Sequence, residues 1–129
     1  FELEEEIFSK IKRFCKQHKT TPFLFLTGVF SALLYRYWNQ KQIMIGYPTN
    51  IRPNGYQNSL GFYITTFPFC IKISEQENFI EHIQRLTNQR REDKKHENIT
   101  LPEISKLIFR TDTSTETYFN ILIISTPFN

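Results

Sequence analysis

Cysteine is scarce in this chain of 129 residues, with only Cys15 and Cys70. They fall in a helix pattern and a strand pattern, which reads as two buried thiols in a reducing compartment rather than a disulfide framework. That spacing offers too few ligands for a metal site. Histidine is scarce too: His18, His82 and His96 stand apart from one another. No serine–histidine–acid set, phosphate loop or paired-carboxylate site is legible. An excess of one charge is also lacking. Sixteen basic and 13 acidic residues leave a net charge of +3, too mild to argue for nucleic acid. No signal peptide and no long uncharged apolar run is visible, so a soluble, cytoplasmic chain with no membrane partner is the expectation. Internal repeats and low-complexity tracts are absent as well.

What is present is apolar and aromatic: 40% of residues are hydrophobic and 13 are Phe. The length suits one domain of modest size or part of a larger one. Phe1 in place of an initiator Met points to a processed piece or an excised domain. Phe1 to Leu3 alternates like the end of a strand. Glu4, Glu5 and Glu6 then open a helix that ends near His18, with Leu3, Ile7, Ile11, Phe14 and Cys15 on one face. His18 reads as a helix-end cation. Thr20 or Thr21 caps a second helix with Pro22 in its first turn. From Phe23 to Trp38 this helix is apolar all round, which predicts burial between layers.

Ile43 to Tyr47 reads as a strand inside a sheet. Phe62 to Ile73 reads as a long strand with Phe67, Phe69, Ile71 and Ile73 on one face. Pro68 places it at an edge or in a bulge. A helix follows with Phe79, Ile80, Ile83 and Leu86 inward, and with His82 at a solvated position among Glu81, Gln84 and Arg85. Arg85, Arg90, Arg91, Lys94 and Lys95 make this region basic. They read as a solvated face or as a contact for an acidic protein partner. Thr100 and Glu103 are spaced as a capping box for a short helix to Phe109. A Thr-rich linker, Arg110 to Thr117, leads to a strand from Tyr118 to Ser125.

The stretch from Ile43 to Ile73 carries the most specific wording. Gly46, Pro48 and Arg52 make a G-x-P-x-x-x-R pattern. A short loop later come Gly61, Phe62, Tyr63, Ile64, Thr65, Thr66, Pro68 and Phe69. Arg52 lies between Ile51 and Pro53, where a guanidinium must find fixed acceptors or point to water. This ordered set resembles the condensation domains of non-ribosomal peptide synthetases. The segments Thr21 to Trp38, His96 to Ile108 and Tyr118 to Ser125 extend the resemblance over nearly the whole chain.

The resemblance implies an α/β (α+β) fold: a mixed sheet packed by helices, like one lobe of a chloramphenicol-acetyltransferase-like two-lobe domain. Residues 1–129 would form a single partial domain similar to the first part of the C-terminal half. The family joins an acyl or peptidyl group on one carrier protein to the amine of an aminoacyl group on another. Both hang as thioesters on phosphopantetheine arms, so no cofactor is expected on this chain itself. The family's H-H-x-x-x-D-G motif is absent here, because it belongs to the N-terminal half. The chain alone is therefore expected to have no catalytic residue and no activity.

Gly46, Pro48, Arg52, Gly61, Phe62, Thr65, Thr66 and Pro68 would be structural or inter-lobe positions. The family arginine aligned with Arg52 pairs with the motif's Asp, so Arg52 should here be exposed or paired locally. The basic residues would be contacts for a peptidyl carrier protein. Thr65 stands where the family usually has Asn and Cys70 where it often has Arg, and Phe is missing after Pro102. Without its partner lobe the chain is expected to form a homo-oligomer. The alternative is a stand-alone, non-catalytic module that docks a carrier protein or partner lobe.

Overall fold

A computed structural model describes residues 3–97, 99, 103–104, 106 and 121–124. Along the chain run α1 (Glu5–Gln17), α2 (Pro22–Trp38), β1 (Gln42–Asn50), β2 (Ile64–Lys72) and α3 (Phe79–Lys94). They pack as two compact units: residues 1–43 with 71–92, and residues 44–70 with 93–129. Of the expected first strand only Leu3 is described, exposed and not in a strand, and the linker lies outside the described residues. So does the helix to Phe109, apart from Glu103, Ile104 and Lys106.

In the first unit each helix boundary has a local cause. Glu5 and Glu6 meet the positive end of α1, and Lys16 meets its negative end. Thr21 Oγ1 accepts from Leu24 N at 3.2 Å, with Pro22 in the first turn of α2. Asn39 ends that helix in the left-handed conformation (φ 51°), and its N–H reaches Tyr35 O. Asn78 and Glu81 cap α3 reciprocally: Glu81 N donates to Asn78 Oδ1 at 3.0 Å and Asn78 N to Glu81 Oε2 at 2.9 Å. Phe14, Phe25 and Phe79, one from each helix, meet with ring centroids 5.1, 6.2 and 5.6 Å apart. Such edge-on and tilted pairs add to simple burial.

Helix α2 departs from the expectation of burial all round. Leu24, Thr27, Gly28, Ser31 and Leu34 are buried, while Leu26, Val29, Leu33, Tyr37 and Trp38 are exposed. The inward face is the small one because α3 comes close. A Cβ on Gly28 would lie 2.3 Å from Ile83 Cδ1. Close approach thus outranks side-chain size in choosing the buried face.

The sheet is an antiparallel pair. Ile51 N donates to Tyr63 O and Ile73 N to Lys41 O, each at 2.8 Å. The step from Lys41 to Ile51 equals the step from Tyr63 to Ile73, so no residue is inserted and Pro68 makes no bulge. Pro68 falls opposite Gly46, at a pair whose backbone groups point away from the partner strand. Its missing N–H is therefore lost only from the outer side of β2. Gly46 turns its own groups the other way: its N–H donates to Ile121 O at 2.7 Å, and its carbonyl accepts from Ile123 N at 2.9 Å. This parallel bridge to Leu122 places β1 inside, between that segment and β2.

The register puts Ile43, Ile45 and Tyr47 opposite Ile71, Phe69 and Phe67, and all six are buried. In the second unit Tyr47 packs against Phe67 and Phe69, with centroids 6.1 and 6.0 Å apart. The other face of that unit's sheet is open. Met44, Ile64, Leu122 and Ile124 are exposed on it, so β1 is not covered on both sides as its apolar run predicts.

Candidate functional site

The connection from Ile51 to Tyr63 is built around Arg52. Asn50 Oδ1 accepts from Arg52 N at 2.9 Å and fixes the start of the turn. Nη1 of Arg52 donates to the carbonyls of Tyr56 (2.8 Å) and Ser59 (2.6 Å), with Ser59 Oγ at 3.4 Å. The guanidinium lies over the Tyr63 ring, Cζ 4.1 Å from its centroid. Tyr63 Oη meets Ser59 Oγ at 2.8 Å, and Ser59 Oγ donates to Tyr56 O. A Cβ on Gly61 would sit 2.8 Å from Tyr63 Cε2, so only glycine lets this ring fold back. Arg52 is half-buried and satisfied locally.

Among the described residues one nitrogen, Nη1, carries all of the guanidinium's hydrogen bonds. Nε and Nη2 have no partner among the described residues, which leaves one edge of the fork open to a carboxylate. In the same connection and its flanks Ile51, Tyr56 and Ile64 are exposed, Phe62 is 89% exposed and Leu60 fully so.

The sheet register also brings together the two halves of the motif. Gly46 lies opposite Pro68 and Pro48 opposite Thr66. Pro48, Thr65, Thr66 and Pro68 are half-buried, while Gly61 and Phe62 are exposed.

The basic residues divide. Arg85 is half-buried and its fork is occupied: Nε donates to Glu77 Oε1 at 2.8 Å, and Nη2 shares its hydrogens among Glu77 Oε2 at 3.0 Å, Lys72 O and His82 Nδ1. A fork spent in this way is drawn inward by its acceptors. Arg91 Nη2 reaches Lys19 O at 3.3 Å, and Arg90 is half-buried. Lys94 and Lys95 are exposed.

His82 overturns its expected solvated position, being only 6% exposed. Its spacing from Leu86 and Thr87 puts it on the inward face of α3, rotated from the stripe read in the sequence. Ser31 donates to Gly28 O at 2.9 Å, so its oxygen accepts from His82 Nε2 at 3.1 Å. Nδ1 then accepts from Arg85 Nη2 at 3.1 Å, with Glu77 Oε2 at 3.7 Å. Burial, then the Arg85 charge, push the imidazole below its ordinary value, outweighing Glu77. The Arg85 hydrogen bonds hold Glu77 below the usual carboxylate range. Ser31, His82 and Glu77 have the composition of a nucleophile set, unread in the sequence because α2 and α3 are far apart in it. The serine proton points to a carbonyl and Ser31 is 1% exposed, so this set is not a nucleophile.

Cys15 is buried, which pushes its thiol up, and it is not disulfide-bonded. His18 stacks on Phe14 at the end of α1, with centroids 4.3 Å apart. Among the described residues no three or more His, Cys, Asp or Glu side chains are grouped to hold a metal. No helix among them is long and apolar enough to cross a membrane.

Comparison with known proteins follows this geometry. The solved condensation domain of the monacolin K polyketide synthase MokA superposes with a TM-score of 0.76 at 22% identity, over 84% of this chain and 25% of that one. A four-domain nonribosomal peptide synthetase bound to AMP and glycine gives 0.78 at 22% identity, over 82% of this chain and 8% of that one. These matches define the fold as that of condensation domains, which is chloramphenicol-acetyltransferase-like. Surfactin synthase subunit 2 of Bacillus subtilis is 27% identical over 95% of this chain, and cyclosporin synthetase of Tolypocladium inflatum is 28% identical over 65%. The chain spans 4% and 1% of those two relatives. The family model of the condensation domain matches residues 1–128. The chain belongs to the condensation-domain family.

Proposed function

We propose that this chain is part of the C-terminal lobe of a condensation domain. The whole domain joins carrier-bound acyl or peptidyl groups to carrier-bound aminoacyl groups as amides. The step needs a group that positions the attacking amine or takes its proton. Arg52 and its loop do not supply that group. Their role is to hold a fixed cation against a carboxylate in the missing N-terminal lobe, with Leu60 and Phe62 set into the same contact. The unpartnered Nε and Nη2 of Arg52, in a connection that also exposes Leu60 and Phe62, are the observation that supports this reading. Phosphopantetheine would arrive on peptidyl carrier proteins. The chain alone has no amide-forming activity in this account, because none of its three histidines belongs to an H-H-x-x-x-D-G motif.

The exposed Lys94 and Lys95 favour the second reading, a non-catalytic module that docks an acidic carrier protein. Reading the flanking gene separates the two. An upstream H-H-x-x-x-D-G segment in the same frame supports the first, and a start codon near Phe1 supports the second.

A further inference from the structure

Beyond that role, the first unit carries a buried histidine whose charged neighbours among the described residues, Arg85 and Glu77, compete for one nitrogen. We propose that His82 is a pH-operated latch: neutral, it holds Arg85 against the end of β2, and protonated, it expels Arg85 and takes Glu77 instead. The ring sits between two helices and a turn. From α2 it meets Ser31 and Gly28, both uncharged. Among the described residues the charged groups facing it are Arg85, on its own helix, and Glu77, from the turn before that helix.

The hydrogens fix the resting state. Arg85 can only donate, so its 3.1 Å contact makes Nδ1 an acceptor and leaves the ring hydrogen on Nε2, facing Ser31 Oγ, which in turn donates to Gly28 O. Adding a proton at Nδ1 sets N–H against the Arg85 N–H at 3.1 Å, donor to donor and cation to cation. Glu77 Oε2, already 3.7 Å from Nδ1, becomes the natural acceptor and needs only a small approach. Arg85 cannot keep its place beside a charged ring. Its Nη2 also holds Lys72 O, next to the Ile73 N–H that closes the ladder on Lys41 O. Protonation of one buried ring is thereby linked to the backbone at one end of the sheet.

The direction with pH follows from linkage. The unfolded chain binds a proton near the ordinary imidazole value of 6.5, while the folded ring resists it. Stability is complete above that value. It falls as pH drops below it, by up to about tenfold in the folding constant per pH unit, and levels off once the folded ring is charged as well. Ionisation of Glu77 persists to lower pH and leaves this window to the histidine.

The test is a pH series from 7.5 to about 5 on the full chain and on His82→Gln, whose amide can give and accept the same bonds without titrating. Imidazole nitrogen shifts, denaturant midpoints and the exchange rate of the Ile73 amide are read together. The expected result is an Nε2–H tautomer that titrates below its ordinary value in the parent chain. Stability and Ile73 protection should fall with that titration, and both should stay flat in His82→Gln. Should His82→Gln not fold, the tautomer and titration of the parent ring still decide. An Nδ1–H tautomer, titration at the ordinary value, or Ile73 protection indifferent to pH overturns the latch. So does a His82→Gln chain that loses stability as the parent does.

Discussion

At the residue scale, Arg52 and Gly28 show how one position can set its surroundings. Arg52 is held by two carbonyls and a tyrosine ring of its own loop. Arg52→Ala in the isolated chain is therefore expected to speed amide exchange in the 51–63 loop while costing only about 1 kcal/mol overall. If Arg52 meets a carboxylate of the other lobe as proposed, the same change in the complete domain is expected to cost about 3–5 kcal/mol. Equal losses in the two settings, measured by denaturant unfolding, would show that Arg52 serves only its loop. Gly28 sits where α3 comes close, and Ile83 is fully buried with nowhere to swing. Gly28→Ala gains about 1 kcal/mol of helix propensity but overpacks by about 1–3 kcal/mol, so a net loss is expected. Adding Ile83→Val, which removes the clashing methyl, should restore stability, and failure of that rescue would place the strain elsewhere.

Among the secondary-structure elements, the strands were legible and the helix faces less so. Ile43 to Tyr47 and Phe62 to Ile73 announced themselves by β-branched and aromatic runs, and their buried faces came out as Ile45, Tyr47, Phe67, Phe69 and Ile71. Truncating Phe69→Ala at the centre of that face is expected to cost about 3–5 kcal/mol. A loss under 1 kcal/mol in a denaturant titration would mean the face is not packed. The sequence could not show which side of α2 turns inward, because that depends on how close α3 comes. Nor could it place His82, since Ser31 and Glu77 reach the ring only after α2, α3 and the turn between β2 and α3 have assembled. The Asn78–Glu81 cap has the spacing of a capping box and is readable from the sequence alone. Asn78→Ala should cost about 1 kcal/mol, which thermal unfolding can measure.

For the whole molecule, the family motif was legible because its residues are adjacent in sequence, while the open surfaces became visible only in three dimensions. Met44, Ile64, Leu122 and Ile124 leave a sheet face uncovered in one unit, and Leu26, Val29, Leu33 and Tyr37 a helix face in the other. Apolar faces of that kind seek cover in water. The isolated chain is expected to self-associate, and light scattering over a dilution series should show mass rising with concentration. A strictly monomeric mass at high micromolar concentration would contradict this.

The central claim is that this chain is one part of a two-lobe catalyst and brings no catalytic base of its own. Amide formation between two loaded carrier proteins tests it most directly, with the chain alone, with the H-H-x-x-x-D-G-bearing remainder of the domain alone, and with both. The account predicts product above a no-protein control only when both are present. Product from the chain alone, or undiminished product from the remainder without it, would contradict the account.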